Sequence, residues 1–332
     1  MIQGRRAPEG ILGFPIAPFQ ANGQLSEEAL FQNIQFLLDE GLDAIFIACG
    51  SGEFQSISQK EYEQMIDVAL AAAGGQVPVY SGVGGNLNTA LEWAKISEEK
   101  GVDGYLLLPP YLIHGEQEGL YEYAKTIIES TNLNAILYQR DNAVLSVQQI
   151  KRLTSFEQLV GVKDGVGDMD LNVNLSYTIG SRLSYINGLP MAEVTMPAYL
   201  PIGFHSYSSA ISNYIPHISR MFYHALKTGD QETVKDIYTT VILPINRIRQ
   251  QRKGYAVSLI KAGMNIIGTF CPQFSKTACC SCRKRTLSRT REHFTARNGT
   301  LPEKSGCELT KERSSYYVHF SETKNVLQLY QW

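Results

Sequence analysis

Lys163 closes the segment Leu-Val-Gly-Val-Lys-Asp-Gly, in which Leu159, Val160 and Val162 are all apolar. A strand there would cover the lysine stem and bring its nitrogen to the strand's end. Partial burial disfavours the ammonium and lowers its pKa, which is what a lysine needs in order to attack a ketone. Taken alone, the segment fits a strand-end lysine that snorkels to solvent just as well. Tyr138 ends a second apolar run, Ile-Leu-Tyr-Gln-Arg-Asp-Asn. Beside an amine, a phenol can pass a proton to and from a carbinolamine and a substrate carbon. A tyrosine packed with its hydroxyl on backbone accounts for the same residue.

Other polar residues stand where apolar runs end. Gly50, Ser51 and Gly52 lie in the turn Cys-Gly-Ser-Gly-Glu. The glycines permit tight or positive-φ geometry and the exposed amides can accept a carboxylate or phosphate oxygen; a plain turn is the alternative. The spacing is not that of a dinucleotide-binding glycine loop, and no ribose-binding acid follows. A second glycine-rich loop spans residues 81–86. Arg140 and Asp141 follow Tyr138 and suit either substrate contact or a loop-fixing salt bridge. Asn187 and Gly188, then Ser206, Ser208, Ser209 and Asn213, supply amides and hydroxyls for a polyhydroxylated acid, although Ser and Asn are also ordinary caps. Glu193 is expected to be structural. His114, His205, His217 and His224 show no metal-ligand spacing, so no metal is expected.

These residues need a frame that gathers strand ends. Short apolar runs at 11–19, 44–49, 78–81, 103–108, 135–138, 159–163, 184–187 and 203–207 alternate with helical patterns at 25–40, 59–73, 89–100, 118–130 and 146–153. Ser26 and Ser58 stand as helix caps. Between residues 164 and 183 the period weakens. Parallel strands joined by crossovers, with no hairpin signals, predict an α/β fold: a (β/α)₈ barrel, with an open doubly wound sheet as the competing architecture. Additional helices are expected at 211–226, 230–252 and 255–264. Residues 1–268, including those helices, are expected to form one catalytic domain, since no Gly/Ser- or Pro-rich linker divides them.

The composition changes at residue 269. Of 30 Lys and Arg and 32 Asp and Glu, residues 1–268 hold 19 and 27, whereas 269–332 hold 11 and 5. Cys49 stands alone in the first part, while Cys271, Cys279, Cys280, Cys282 and Cys307 crowd the second. A shifted reading frame, or a join to unrelated sequence, would produce this break, leaving a partly disordered tail with apolar patches only at 316–320 and 326–332. A metal module from Cys279, Cys280, Cys282, His293 and Cys307 lacks paired C-x₂-C knuckles. The acidic body argues against nucleic acid as a partner. No run approaches the roughly 18 apolar residues of a membrane span, and the N-terminus is too interrupted for a signal peptide. A cytoplasmic location is expected.

Six segments in order carry a resemblance: Gly-Ser-Gly-Glu at 50–53, Pro-Pro-Tyr at 109–111 with Gln-Glu-Gly-Leu at 117–120, Tyr-Gln-Arg-Asp-Asn at 138–142, Gly-Val-Lys-Asp-Gly at 161–165, Asn-Gly at 187–188, and Tyr-Ser-Ser-Ala-Ile-Ser-Asn at 207–213. Together they resemble the dihydrodipicolinate synthase and N-acetylneuraminate lyase superfamily over residues 8–268. The resemblance implies a Schiff-base lysine at Lys163, a proton-relay tyrosine at Tyr138, and a carboxylate grip at Gly50, Ser51 and Gly52. It further implies no metal or dissociable cofactor, and a homodimer or homotetramer. Members commonly place two tyrosines in a row after the fourth strand; here Leu112 follows Tyr111, so that part of their relay does not carry over. Gly-Ser in the turn and Arg-Asp after Tyr138 lean toward the branch that dehydrates and decarboxylates a keto-sugar acid, with Arg140, Asn187 and Ser208 as further substrate contacts. A pyruvate-dependent aldolase or lyase is the alternative reaction, and a non-catalytic sugar-acid-binding or folding-impaired barrel the alternative class.

Overall fold

The computed structural model describes residues 5–111, 114–251, 255–268, 316–321 and 326–331. Strands β1 (Ile11–Gly13), β2 (Ala44–Ile47), β3 (Val79–Val83), β4 (Gly104–Leu107), β5 (Asn134–Gln139), β6 (Leu159–Asp164), β7 (Ser184–Asn187) and β8 (Ser206–Ser209) form a closed parallel barrel in sequence order. β8 pairs back onto β1 through Leu12 and Ser208. Closure decides against the open sheet. The apolar strands predicted this arrangement because strands covered on both faces read as continuous hydrophobic runs.

The helices between strands are α1 (Glu27–Asp39), α2 (Gln59–Ala73), α3 (Leu87–Lys100), α4 (Gln117–Glu129), α5 (Val147–Leu153), α6 (Met169–Ile179) and the short α7 (Met196–Tyr199). Ser26 caps α1 by accepting from the Ala29 amide. Ser58 caps α2 in a reciprocal capping box with Glu61. Besides the four-residue α7, the helix missed in the sequence is α6. Its outer side carries Met169, Val173 and Tyr177, with Tyr177 76% exposed, and this blurs the amphipathic period that would have marked it. β8 begins at Ser206 rather than residue 203, because Gly203 sits at φ 92° and closes the preceding 3₁₀ turn.

After β8 come α8 (Pro216–Thr228), α9 (Gln231–Ile237), α10 (Leu243–Gln250) and α11 (Tyr255–Ile266). The long helix expected at 230–252 is divided by a π-helical segment, Tyr238–Ile242, just before Pro244, whose missing N–H and ring disfavour an uninterrupted α-helix. Of residues 269–332, only the antiparallel strands β9 (Tyr316–Ser321) and β10 (Val326–Gln331) are described. The cysteines of that stretch, and the expectation of a frame-altered or partly disordered tail, otherwise lie outside the described residues. Among the described residues no helix is long and apolar enough to cross a membrane.

Inside the barrel, Phe14, Phe46 and Tyr80 stack in a row across the first three strands, with centroids 4.7 and 5.0 Å apart. The row fills the interior.

Candidate active site

Lys163 and Tyr138 occupy directly paired positions on β6 and β5. Both are buried. The Lys163 Nζ lies 3.8 Å from the centroid of the Phe14 ring and 4.7 Å from that of Tyr138. Burial pushes the amine down to about 7, Arg140 adding to the effect and Cys49 opposing it. Gly188 makes the approach possible: a Cβ there would lie 2.4 Å from Lys163 Cε. Any side chain at 188 would displace the lysine.

The Tyr138 hydroxyl donates to the Gly188 carbonyl at 3.2 Å and accepts from Arg140 Nη1 at 2.9 Å. Burial raises the phenol pKa, and the Arg140 guanidinium offsets part of the rise. Arg140 also holds Asp141 at 3.2 Å. It therefore makes the loop salt bridge and reaches the phenol as well. Asp141 takes a left-handed conformation, φ 47°.

The turn after β2 differs from the glycine-centred expectation. Its left-handed residues are Ala48 (φ 51°) and Glu53 (φ 57°), whereas neither Gly50 nor Gly52 has positive φ. The Glu53 amide donates to the Gly50 carbonyl at 3.2 Å, and the Phe54 amide to Cys49 at 3.2 Å. Among the described residues no protein acceptor takes the amides of Gly50, Ser51 or Gly52. A Cβ on Gly50 would meet nothing within 4 Å, so the turn opens onto free space. Such a set of amides suits a carboxylate. Cys49, which leads into it, is close enough to influence the Lys163 charge, and burial pushes its own thiol up to about 12. Strained backbone at Ala48, Glu53, Asp141 and Met191, all following barrel strands, concentrates at this end of the molecule.

Asn187 and Ser208 stand differently. The Asn187 side chain donates to the Ala192 carbonyl at 3.1 Å and to Thr195 Oγ1 at 2.9 Å, and accepts from the Leu189 amide. Its amide group is occupied in holding its own loop. Ser208 is half-buried on β8, and among the described residues its hydroxyl makes no side-chain hydrogen bond. Glu193 is buried and accepts from Ser209 Oγ at 2.6 Å; burial pushes its carboxyl up to about 7.

Three further residues escaped the sequence reading. Asp164, beside the lysine, accepts from the Val166 and Gly167 amides, from Asn172 Nδ2 at 2.8 Å and from the Tyr199 hydroxyl at 2.5 Å, so it fixes the loop after β6. Arg249 on α10 lies near enough to Arg140 for the two guanidinium charges to interact. Lys261 on α11 forms a buried ion pair with Glu53 at 2.7 Å. A lysine amid the apolar run Ser-Leu-Ile-Lys-Ala-Gly-Met was the available signal for the last. Among the described residues no group of three His, Cys, Asp or Glu is arranged to hold a metal ion.

A cavity of about 420 Å³ lined by Arg5, Arg182, His205 and Ser206 lies at the opposite end of the barrel, where β7 and β8 begin, and includes neither Lys163, Tyr138 nor the Gly50–Gly52 turn. The chemistry collects at the carboxyl ends of the strands, as barrel architecture favours.

The model of the dihydrodipicolinate synthetase family matches residues 7–290. A Bacillus subtilis (strain 168) protein named "Probable 5-dehydro-4-deoxyglucarate dehydratase" is 80% identical over 264 residues, covering 80% of this chain and 86% of its own length. A protein of the same name from Oceanobacillus iheyensis is 60% identical over 264 residues, with the same coverage. Among solved structures, dihydrodipicolinate synthase from Oceanobacillus iheyensis superposes with a TM-score of 0.77 at 26% identity, covering 86% of this chain and 96% of that one. With the barrel, the paired strand-end lysine and tyrosine, and a family match over most of its length, the chain belongs to the dihydrodipicolinate synthetase family and is an enzyme of that family.

Proposed function

We propose that the protein converts 5-dehydro-4-deoxy-D-glucarate to 2,5-dioxopentanoate, CO₂ and water through a Schiff base on Lys163. The observation that carries this reading is the buried Lys163 amine, with a pKa near 7, on the strand position paired with Tyr138. The shared name of the 80% and 60% identical relatives supports the choice of substrate.

The substrate's C6 carboxylate rests on the amides of Gly50, Ser51 and Gly52, and the adjacent C5 ketone meets the Lys163 nitrogen. Attack gives a carbinolamine, and loss of water from it gives the iminium. The iminium acidifies C4. Removal of a C4 proton forms an enamine that expels the C3 hydroxyl with a proton as water, leaving an iminium conjugated to the C3–C4 double bond. That system accepts the electrons of the C1–C2 bond as CO₂ departs; reprotonation and hydrolysis of the imine release the product and the free lysine. The water spent in that hydrolysis equals the one lost in forming the imine, so one CO₂ and one water leave overall. Tyr138 is the proton carrier, with Arg140 holding its hydroxyl and biasing it toward release. Arg140, whose charge interacts with that of Arg249, suits the distal C1 carboxylate before it leaves, and Ser208 suits a substrate hydroxyl. Asn187 acts by holding the loop after β7. A small keto-sugar acid is the partner this chemistry requires.

Incubation of purified protein with 5-dehydro-4-deoxy-D-glucarate tests the reading. The expected result is CO₂ in equal amount to a five-carbon dicarbonyl acid, with activity lost in Lys163→Ala. Pyruvate and a three-carbon aldehyde would instead identify a retro-aldol lyase, and equal turnover by Lys163→Ala would remove the Schiff base.

A further inference from the structure

The Glu53–Lys261 ion pair takes no part in the chemistry above, yet it joins the carboxylate turn to a helix 208 residues away in sequence. Glu53 is 0% exposed and Lys261 2%. Removing two charges from water costs several kcal/mol per ion, so a buried pair is a poor source of stability compared with apolar packing. What it supplies here is direction. Glu53 is a non-glycine residue in the left-handed region, a conformation that persists only when its surroundings enforce it. Its amide closes the turn onto the Gly50 carbonyl, and its carbonyl accepts from the Ser56 amide at 2.8 Å. The side chain that enforces this geometry is anchored by Lys261.

Helix α11 is itself located by three loops of the barrel mouth. Lys261 Nζ lies 5.3 Å from the centroid of Phe19, in the loop after β1. It also meets Glu53, in the loop after β2. Gly263 lies against the Tyr214 ring, after β8; a Cβ there would fall 2.8–2.9 Å from the ring carbons. The helix thus reaches its place by a close approach only glycine allows, and the lysine one half-turn earlier lands on Glu53.

We propose that Glu53 and Lys261 are a positioning pair: docking of α11 sets the Gly50–Gly52 turn in its carboxylate-receiving shape, so the site is complete only when the C-terminal helix is seated. This rests on the reading of Lys163 as the Schiff-base lysine and of the turn as the grip for the carboxylate next to the ketone. Neither residue touches substrate; both act through the turn.

The full chain is used for the test, with Lys261→Met and with the double variant Glu53→Gln, Lys261→Met. Two readouts are taken beside the melting temperature: the KM and kcat for 5-dehydro-4-deoxy-D-glucarate, and the pyruvate concentration that gives half-maximal borohydride trapping on Lys163. Lys261→Met is expected to raise KM and the half-trapping concentration by about ten- to a hundredfold, the scale of a site misplaced by a distant change, with a smaller loss in kcat. The double variant, which removes both partners of the pair, lacks the anchor as well and is expected to keep most of that rise. Unchanged KM and trapping in Lys261→Met, whatever its melting temperature, overturns the proposal. So does a double variant that returns to the wild-type KM.

Should Lys261→Met fail to fold, Lys261→Arg replaces it: the charge is kept but its position moves, and the half-trapping concentration is expected to rise while the melting temperature holds. Wild-type protein that traps pyruvate but does not turn over the keto-sugar acid would sink the proposed reaction alone, and the trapping comparison would still decide the role of the pair. Absence of any trapping in the wild type removes the Schiff base and this inference together.

Discussion

As the proposed Schiff-base residue, Lys163 has to be buried enough to lose its proton and open enough to meet a ketone. Its pKa near 7, set first by burial, provides a substantial fraction of free amine at neutral pH. Only the amine attacks, so the rate of imine formation is expected to fall about tenfold for each pH unit below 7 and to level off above it. A profile whose midpoint stays near the ordinary lysine value of 10.5 would contradict this. Tyr138→Phe keeps the ring beside Lys163 and removes the hydroxyl that Arg140 and Gly188 hold. Turnover is expected to fall by about 10²- to 10⁴-fold, the usual contribution of a positioned proton carrier, with trapping of a keto acid less affected. Loss of trapping and of turnover in equal measure would mean that Tyr138 only packs the lysine.

At the scale of elements, the site depends on adjacent strands and on the loops that leave them. The β5–β6 pairing was legible because both apolar runs end on a polar residue with a functional side chain, and crossovers place successive strands side by side. The turn after β2 was legible as a turn but not in its conformation, since left-handed backbone at Ala48 and Glu53 is imposed by tertiary contacts and no residue preference signals it. Asp164 was read only as part of a motif, because its four donors come from residues 166, 167, 172 and 199 and converge only in the fold. Asp164→Ala leaves those buried donors without an acceptor. It is expected to cost about 2–4 kcal/mol in denaturant unfolding, given that bonds to a charged acceptor contribute about 1.5–3 kcal/mol each and some will find water. A change under about 0.5 kcal/mol, the usual scatter of surface substitutions, would show that the loop after β6 is held by other contacts.

For the whole molecule, the closed barrel followed from the order of apolar and amphipathic segments, while the seating of the C-terminal helices did not. Lys261 meets Glu53, and Glu193 meets Ser209, across sequence distances no periodicity reports. The buried Glu193 and Lys163 make global stability depend on pH. The Glu193 carboxyl has a pKa near 7 in the folded chain, above its ordinary 4.5, so the folded state holds a proton the unfolded chain gives up. The stability this contributes is present below about pH 4.5 and is lost as pH rises toward 7. Lys163 acts in the other direction over a higher range: its folded pKa near 7 lies below 10.5, so stability is gained as pH rises between those values. Glu193→Gln is therefore expected to flatten the fall in unfolding free energy between pH 5 and 7 without altering the slope above 7, and an unchanged slope below 7 would assign the effect elsewhere. The central claim, a dehydrating and decarboxylating Schiff base at Lys163, is tested most directly by borohydride reduction during turnover of 5-dehydro-4-deoxy-D-glucarate, followed by peptide mapping. A reduced adduct on Lys163 that includes the decarboxylated five-carbon skeleton is the predicted result; a three-carbon adduct, an adduct on another lysine, or none would contradict it.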